Sequence, residues 1–155
     1  MFPNSDPKVG TEEQLGNETS VPQTRVLVAD DHTRILSAVA TLLGNSFEVV
    51  GLVSDGRAAL DATLKLKPDL VILDVSMPSM SGIEVARELK RRPNRAKIVF
   101  LTVPEDAEIL KSCLAAGGLG YVVKALMDSD LIPAMKDALA GRVFVSRFSS
   151  EQETP

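Results

Sequence analysis

Tryptophan is absent from this sequence, and cysteine, tyrosine and histidine each occur once, as Cys113, Tyr121 and His32. A single cysteine excludes a disulfide within the chain and a cysteine-rich zinc centre, and it fits a reducing, cytoplasmic compartment. Long apolar runs are missing too. None approaches the roughly 18–20 residues of a membrane span, so no membrane partner is expected. The opening MFPNSDPKVGTEEQ has no basic start followed by an apolar stretch, and does not read as a signal peptide. A dominant charge of one sign is also lacking. The formal net charge is -4, and much of it lies at the ends: Asp6, Glu12, Glu13 and Glu18 against Lys8 at the front, Glu151 and Glu153 at the back. The remaining sixteen basic and fifteen acidic side chains nearly balance. Such a body makes no demand for nucleic acid, and no DNA binding by this chain is expected.

What is present is enough for one domain of ordinary hydrophobic content: 155 residues, 45% hydrophobic. Residues 1–24 are rich in Pro, Gly, Ser, Thr, Asn and Glu, show no periodicity, and read as a disordered tail; residues 149–155 (SSEQETP) read the same way. That leaves residues 25–148 as the folded domain. Five short apolar runs punctuate it: Arg25–Ala29, Phe47–Val53, Leu70–Leu73, Ile98–Leu101 and Tyr121–Val123. Continuous runs of this length, rich in Val, Ile and Leu, suit strands buried on both faces. The intervening segments have helical spacing, as in Ile35, Val39, Leu42 and Leu43, or Leu131 and Met135. Asp128, Ser129 and Asp130 supply acidic or capping residues before the last helix, and Lys65, Lys67 and Pro68 end the second. Five strands alternating with five helices predict an α/β fold with a parallel sheet covered on both faces and right-handed crossovers.

In such a sheet ligands bind beyond the carboxyl ends of the strands, where strand order reverses. The first run ends in Asp30-Asp31, the third in Asp74, the fourth in Thr102 and the fifth in Lys124. Three carboxylates, a hydroxyl and an ammonium therefore converge on one edge. At an effective dielectric near 20, two unit charges about 4 Å apart repel by roughly 4 kcal/mol, so the carboxylates call for a cation. Oxygen ligands of this kind suit Mg²⁺, which keeps several waters and accepts a phosphate partner. A carboxylate beside it can attack phosphorus to give an aspartyl phosphate. Lys124 is the protein cation for the transferred group and the Thr102 hydroxyl a donor to it.

The segments LVADDH, LVILDVSMPSMSGIE, IVFLT and GYVVK closely resemble the receiver domain of two-component response regulators, in order and spacing, from about Arg25 to Arg142. The resemblance implies a flavodoxin-like doubly wound sheet with strand order 2-1-3-4-5. It implies Asp74 as phosphoacceptor, Asp30 and Asp31 as acidic residues serving Mg²⁺, and the Ser76 backbone carbonyl as a further metal ligand. Thr102 becomes a switch hydroxyl, Lys124 the phosphoryl partner and Tyr121 the rotating aromatic, while Pro78 and Gly82 match the loop after the acceptor. A sensor histidine kinase or phosphotransfer protein is implied as donor, with an unidentified output protein and a possible dimer. Self-dephosphorylation is the only enzymatic activity implied. DDH, and the absence of proline after Lys124, are similar to the subfamily that carries a helix-turn-helix. The seven residues after Phe148 are too few for one, and VFVSRF resembles the junction where it would start.

Three positions depart from the pattern. Val103 stands where a small residue is usual and is expected to narrow access to Asp74. Pro104 is expected to stiffen the loop that follows, because it fixes φ and removes an N–H. Ala125 follows Lys124 where proline is common, and its peptide bond is expected to be trans. A phosphatase of the haloacid dehalogenase kind also forms aspartyl phosphate. It wants a second Asp two residues after its nucleophile at the first strand, where this chain has His32 after Asp30. A pseudo-receiver that binds a partner without phosphorylation stays open on Val103 and Pro104. His32 reads as a polar loop residue rather than a ligand, Cys113 as core, and the basic run Lys90, Arg91, Arg92, Arg95 and Lys97 as a solvated helix end.

Overall fold

The computed structural model describes residues 22–103 and 106–147. Both terminal segments read as tails (apart from residues 22–24) and Pro104 lie outside them. Six strands and five helices alternate: β1 (Arg25–Ala29), α1 (Thr33–Leu43), β2 (Glu48–Val53), α2 (Gly56–Leu66), β3 (Leu70–Asp74), α3 (Gly82–Lys90), β4 (Lys97–Thr102), α4 (Ala107–Ala115), β5 (Gly120–Val123), α5 (Met127–Leu139) and β6 (Phe144–Val145). A single 3₁₀ turn, Lys124–Leu126, joins β5 to α5. All pairings are parallel, in the order β2-β1-β3-β4-β5-β6. The expected order 2-1-3-4-5 is therefore present, with a sixth strand added at the edge.

The central strands are apolar on both sides because both sides are covered. Side chains alternate across the pleat. Leu27, Ala29, Val71, Leu73, Phe100 and Tyr121 pack with residues of α2, α3 and α4, among them Leu60, Val85, Leu89 and Cys113. Their neighbours Val26, Val28, Leu70, Ile72, Val99, Leu101 and Val122 pack with Leu36, Val39 and Leu43 of α1 and Leu131 and Met135 of α5. Truncating one of the leucines, Ile72 or Met135 among them to alanine removes about 2–5 kcal/mol. The edge strand β2 is only half-buried.

Helix ends follow local chemistry. Asp55 caps α2 by accepting from Ala58 N at 2.8 Å. Lys67, in the left-handed region at φ 52°, terminates it. Ser81 and Glu84 form a reciprocal capping box at the start of α3. α5 differs from expectation. Asp128, Ser129 and Asp130 lie within its first turn, not before it, and its N-cap position is Leu126, with no side-chain cap. The 3₁₀ turn carries the chain straight from β5 into the helix, so no capping residue has room to precede it.

Candidate phosphoryl and metal site

Because β1 neighbours both β2 and β3, the chain reverses direction across the sheet there, and the carboxyl ends of β1 and β3 lie side by side. Asp30 follows β1 and donates its N–H to Val53 O at 3.0 Å, which anchors it against β2. Its side chain is 1% exposed. Asp74 ends β3 and is buried as well. Lys124, just past β5, reaches across β4. Its Nζ lies 2.9 Å from Asp30 Oδ2 and 3.4 Å from Asp74 Oδ2. Asp31 is partly exposed at the rim.

Burial pushes the Asp74 carboxyl up to about 6, and the charge of Asp30 pushes in the same direction. Lys124 and the Ser76 N–H, which donates to Asp74 Oδ1 at 3.3 Å, pull it back down but do not win. One ammonium is thus shared by two buried carboxylates, with a third nearby. Ligand atoms of Asp30, Asp31, Asp74 and His32 all lie within 4.8 Å of one another. A compact set of carboxylate oxygens carrying more negative charge than its lysine offsets fits a hard divalent cation.

His32 is placed more tightly than expected of a bystander. Its Nδ1 is 3.2 Å from Asp30 Oδ1 and 3.1 Å from Asp31 Oδ1, and its N–H donates to Asp30 Oδ1 at 2.9 Å. Adjacency in DDH was the only available signal for this contact. Thr102 is buried at the end of β4 and donates its hydroxyl to the Val103 carbonyl at 3.0 Å. Tyr121 is 0% exposed, so its ring already lies inward. Val103, expected to narrow the site, is 60% exposed. It stands on the wall of an open cleft of about 550 Å³ lined also by Asp31, His32, Thr33, Arg34, Ile35 and Lys124. The Lys124–Ala125 bond is trans.

The loop that follows Asp74 is strapped down. Gly82 N donates to Val75 O at 2.8 Å, and Gly56 N to Pro78 O at 3.1 Å. A Cβ on Gly82 would sit 2.1 Å from the Asp74 carbonyl oxygen, and one on Gly56 2.0 Å from that of Met80. Both positions need glycine for close backbone approach. Ser79, in the left-handed region at φ 67°, donates its hydroxyl to Asp55 Oδ1 at 3.2 Å and accepts from Arg57 N at 3.2 Å. The loop bearing the Ser76 carbonyl is thereby tied to α2.

Residues 26–136 match the family described as the response regulator receiver domain. The chain is similar to the response regulator GacA of Pseudomonas viridiflava, 33% identical over 130 residues, 83% of this chain and 61% of that protein. It is also similar to the transcriptional regulatory protein PdtaR of Mycobacterium tuberculosis, 38% identical over 124 residues, 79% of this chain and 60% of that protein. It thus spans about three-fifths of the length of the curated relatives it matches. Among solved structures, it is similar to the isolated receiver domain of RcsB from Salmonella enterica serovar Typhimurium, determined with phosphomimetic BeF3-. That match has TM-score 0.75 and 28% identity, and covers 84% of this chain and 98% of that one. A two-component response regulator of the LuxR family from Aurantimonas matches with TM-score 0.77 at 26% identity, over 84% of this chain and 94% of that one.

Proposed function

Since this chain belongs to the response regulator receiver domain family, we propose that Asp74 is its phosphoacceptor and that residues 25–148 form the phosphorylated unit. The observation that carries this reading is the shared ammonium: Lys124 Nζ within 3.4 Å of Asp74 and 2.9 Å of Asp30, where a phosphoryl oxygen needs a cation. Asp30, Asp31, Asp74 and the Ser76 carbonyl would hold Mg²⁺. When bound, this ion neutralises charge on the phosphoryl oxygens.

The protein's own groups do the rest. An Asp74 carboxylate oxygen attacks phosphorus while the bond from phosphorus to the donor's histidine nitrogen breaks, and the leaving imidazole takes a proton from solvent. Lys124 holds the transferred group, and its contacts to Asp30 fix where its ammonium sits. The Thr102 hydroxyl must exchange its Val103 carbonyl partner for a phosphoryl oxygen. That exchange moves the start of the β4–α4 loop, and it is the step by which the site would reach the face formed by α4, β5 and α5. Tyr121, buried beneath that face, would respond to it. The donor is a sensor histidine kinase or phosphotransfer protein, the output a protein partner, and dimerisation a further use of the same face. Self-dephosphorylation by water is the only hydrolysis proposed. The near-neutral body supports a domain that does not bind DNA itself, and the single buried cysteine suits a cytoplasmic location. Among the described residues no helix is long and apolar enough to cross a membrane.

Incubation with acetyl phosphate and Mg²⁺, followed by intact mass measurement, tests the proposal. The parent should gain one phosphoryl mass and Asp74→Asn none. Equal labelling of the two would refute the assignment, and no labelling of the parent would favour a pseudo-receiver.

A further inference from the structure

Lys124 has to hold an ammonium between two carboxylates, yet it opens a one-turn 3₁₀ segment followed by Ala125, which contributes no φ-fixing ring. The rigidity comes from elsewhere. Ahead of Lys124, Val123 N donates to Ser146 Oγ at 3.1 Å. Behind it, Met127 N closes the turn on Lys124 O, and Ser129 Oγ lies 3.1 Å from Leu126 O. Asp130 joins the two sides: Ser146 Oγ donates to its Oδ2 at 2.7 Å, and Ser129 Oγ lies 3.0 Å from its Oδ1. Ser146 is 2% exposed, and its own N–H donates to Tyr121 O at 2.9 Å.

We propose that Ser146 and Asp130, with Ser129, are positioning residues for Lys124, forming a polar bracket around the turn that carries it. This deepens the phosphoacceptor reading and rests on it. Three features support the assignment. The bracket grips the backbone on both sides of Lys124 within three residues. Its central hydroxyl is buried and engaged both as donor and as acceptor, so its removal leaves a buried Val123 N–H unpaired. The contact it protects has little slack, because the Lys124–Asp74 distance is already 3.4 Å and a drift of half an ångström or so leaves hydrogen-bond range. Ser146 also belongs to the segment that pairs with β5 at the sheet edge. The bracket therefore ties that segment to the phosphorylation site.

The test is a double-mutant cycle on the full chain, read as the rate of Asp74 labelling by acetyl phosphate at saturating Mg²⁺. Ser146→Ala should slow labelling about tenfold, within the range that small misplacement of a catalytic group produces. Ser146→Thr, which keeps the hydroxyl, should restore most of the rate. Mg²⁺ affinity should stay within about twofold of the parent, since Lys124 is not a metal ligand. In a Lys124→Ala background, Ser146→Ala should cost nothing further. Asp130→Ala, at a partly exposed position, should reproduce the loss, and it decides the matter if Ser146→Ala fails to fold. An equal loss in both backgrounds, or parental labelling by Ser146→Ala or by Asp130→Ala, overturns the bracket while leaving Asp74 as acceptor. A parent protein that takes no phosphoryl group overturns both.

Discussion

At the scale of single residues, the site is a problem of charge in a confined space. Asp74 sits near 6 because burial and Asp30 outweigh Lys124 and the Ser76 N–H. The folded state therefore binds the Asp74 proton more tightly than the unfolded state does. The stability this contributes is complete below about pH 4 and is lost as pH rises through about 6. Without metal, Asp74→Asn should match the parent near pH 4 and exceed it at pH 7.5 by on the order of 2–3 kcal/mol. Urea denaturation of both proteins in EDTA at the two pH values measures this, and a gap that shrinks toward neutral pH contradicts it. Cys113 is the opposite case, a thiol with no task. Burial raises it to about 12, so it should resist a disulfide reagent at pH 8 until the protein opens. Rapid stoichiometric labelling of the native protein would show that α4 does not hold it against the sheet. The strand-end positions of Asp30, Asp74, Thr102 and Lys124 were legible in the sequence because each ends or directly follows an apolar run. His32 against two carboxylates was not legible, since adjacency in DDH fixes no side-chain direction. The Asp130–Ser146 pair was hidden for another reason: sixteen residues separate its members, and neither lies in a periodic pattern.

At the scale of elements, the strands and helices announced themselves by period, and their joints did not. β6 escaped because two residues, Phe144 and Val145, are too few to show alternation. The start of α5 was misplaced because acidic residues suit a first turn as well as a cap. The glycines of the joints carry a sharper requirement. Gly82→Ala forces α3 away from the Asp74 carbonyl, which lies 2.1 Å from the added carbon. It should cost about 1–3 kcal/mol and slow labelling of Asp74. Gly141, at φ 79° with nothing within 4 Å of a built Cβ, is the matched control. Its alanine variant should lose only about 1 kcal/mol and label as the parent does. Thermal unfolding and intact mass distinguish the two, and an unaffected Gly82→Ala protein would mean the β3–α3 loop has slack.

At the scale of the whole molecule, binding at one edge of the sheet is coupled to the stability of the entire domain. Mg²⁺ that binds the folded state at about a hundred times its dissociation constant adds roughly 2.7 kcal/mol. Its addition should raise the melting temperature of the parent, and by less in Asp31→Ala, whose substitution touches the rim but not the core. Identical shifts in both proteins would remove Asp31 from the metal site. The architecture was legible because a buried parallel sheet writes itself as apolar runs. That a sixth strand extends the sheet at the β5 edge was not, because that depends on α5 ending where residues 144–146 meet β5. One consequence concerns light. With no tryptophan and a single tyrosine, the near-ultraviolet emission of this protein comes mainly from Tyr121. That ring is sealed inside β5, and its carbonyl is held by Ser146. Intrinsic fluorescence of the unlabelled domain is therefore close to a one-site gauge, read at β5, the strand that leads into Lys124 and pairs with the final strand.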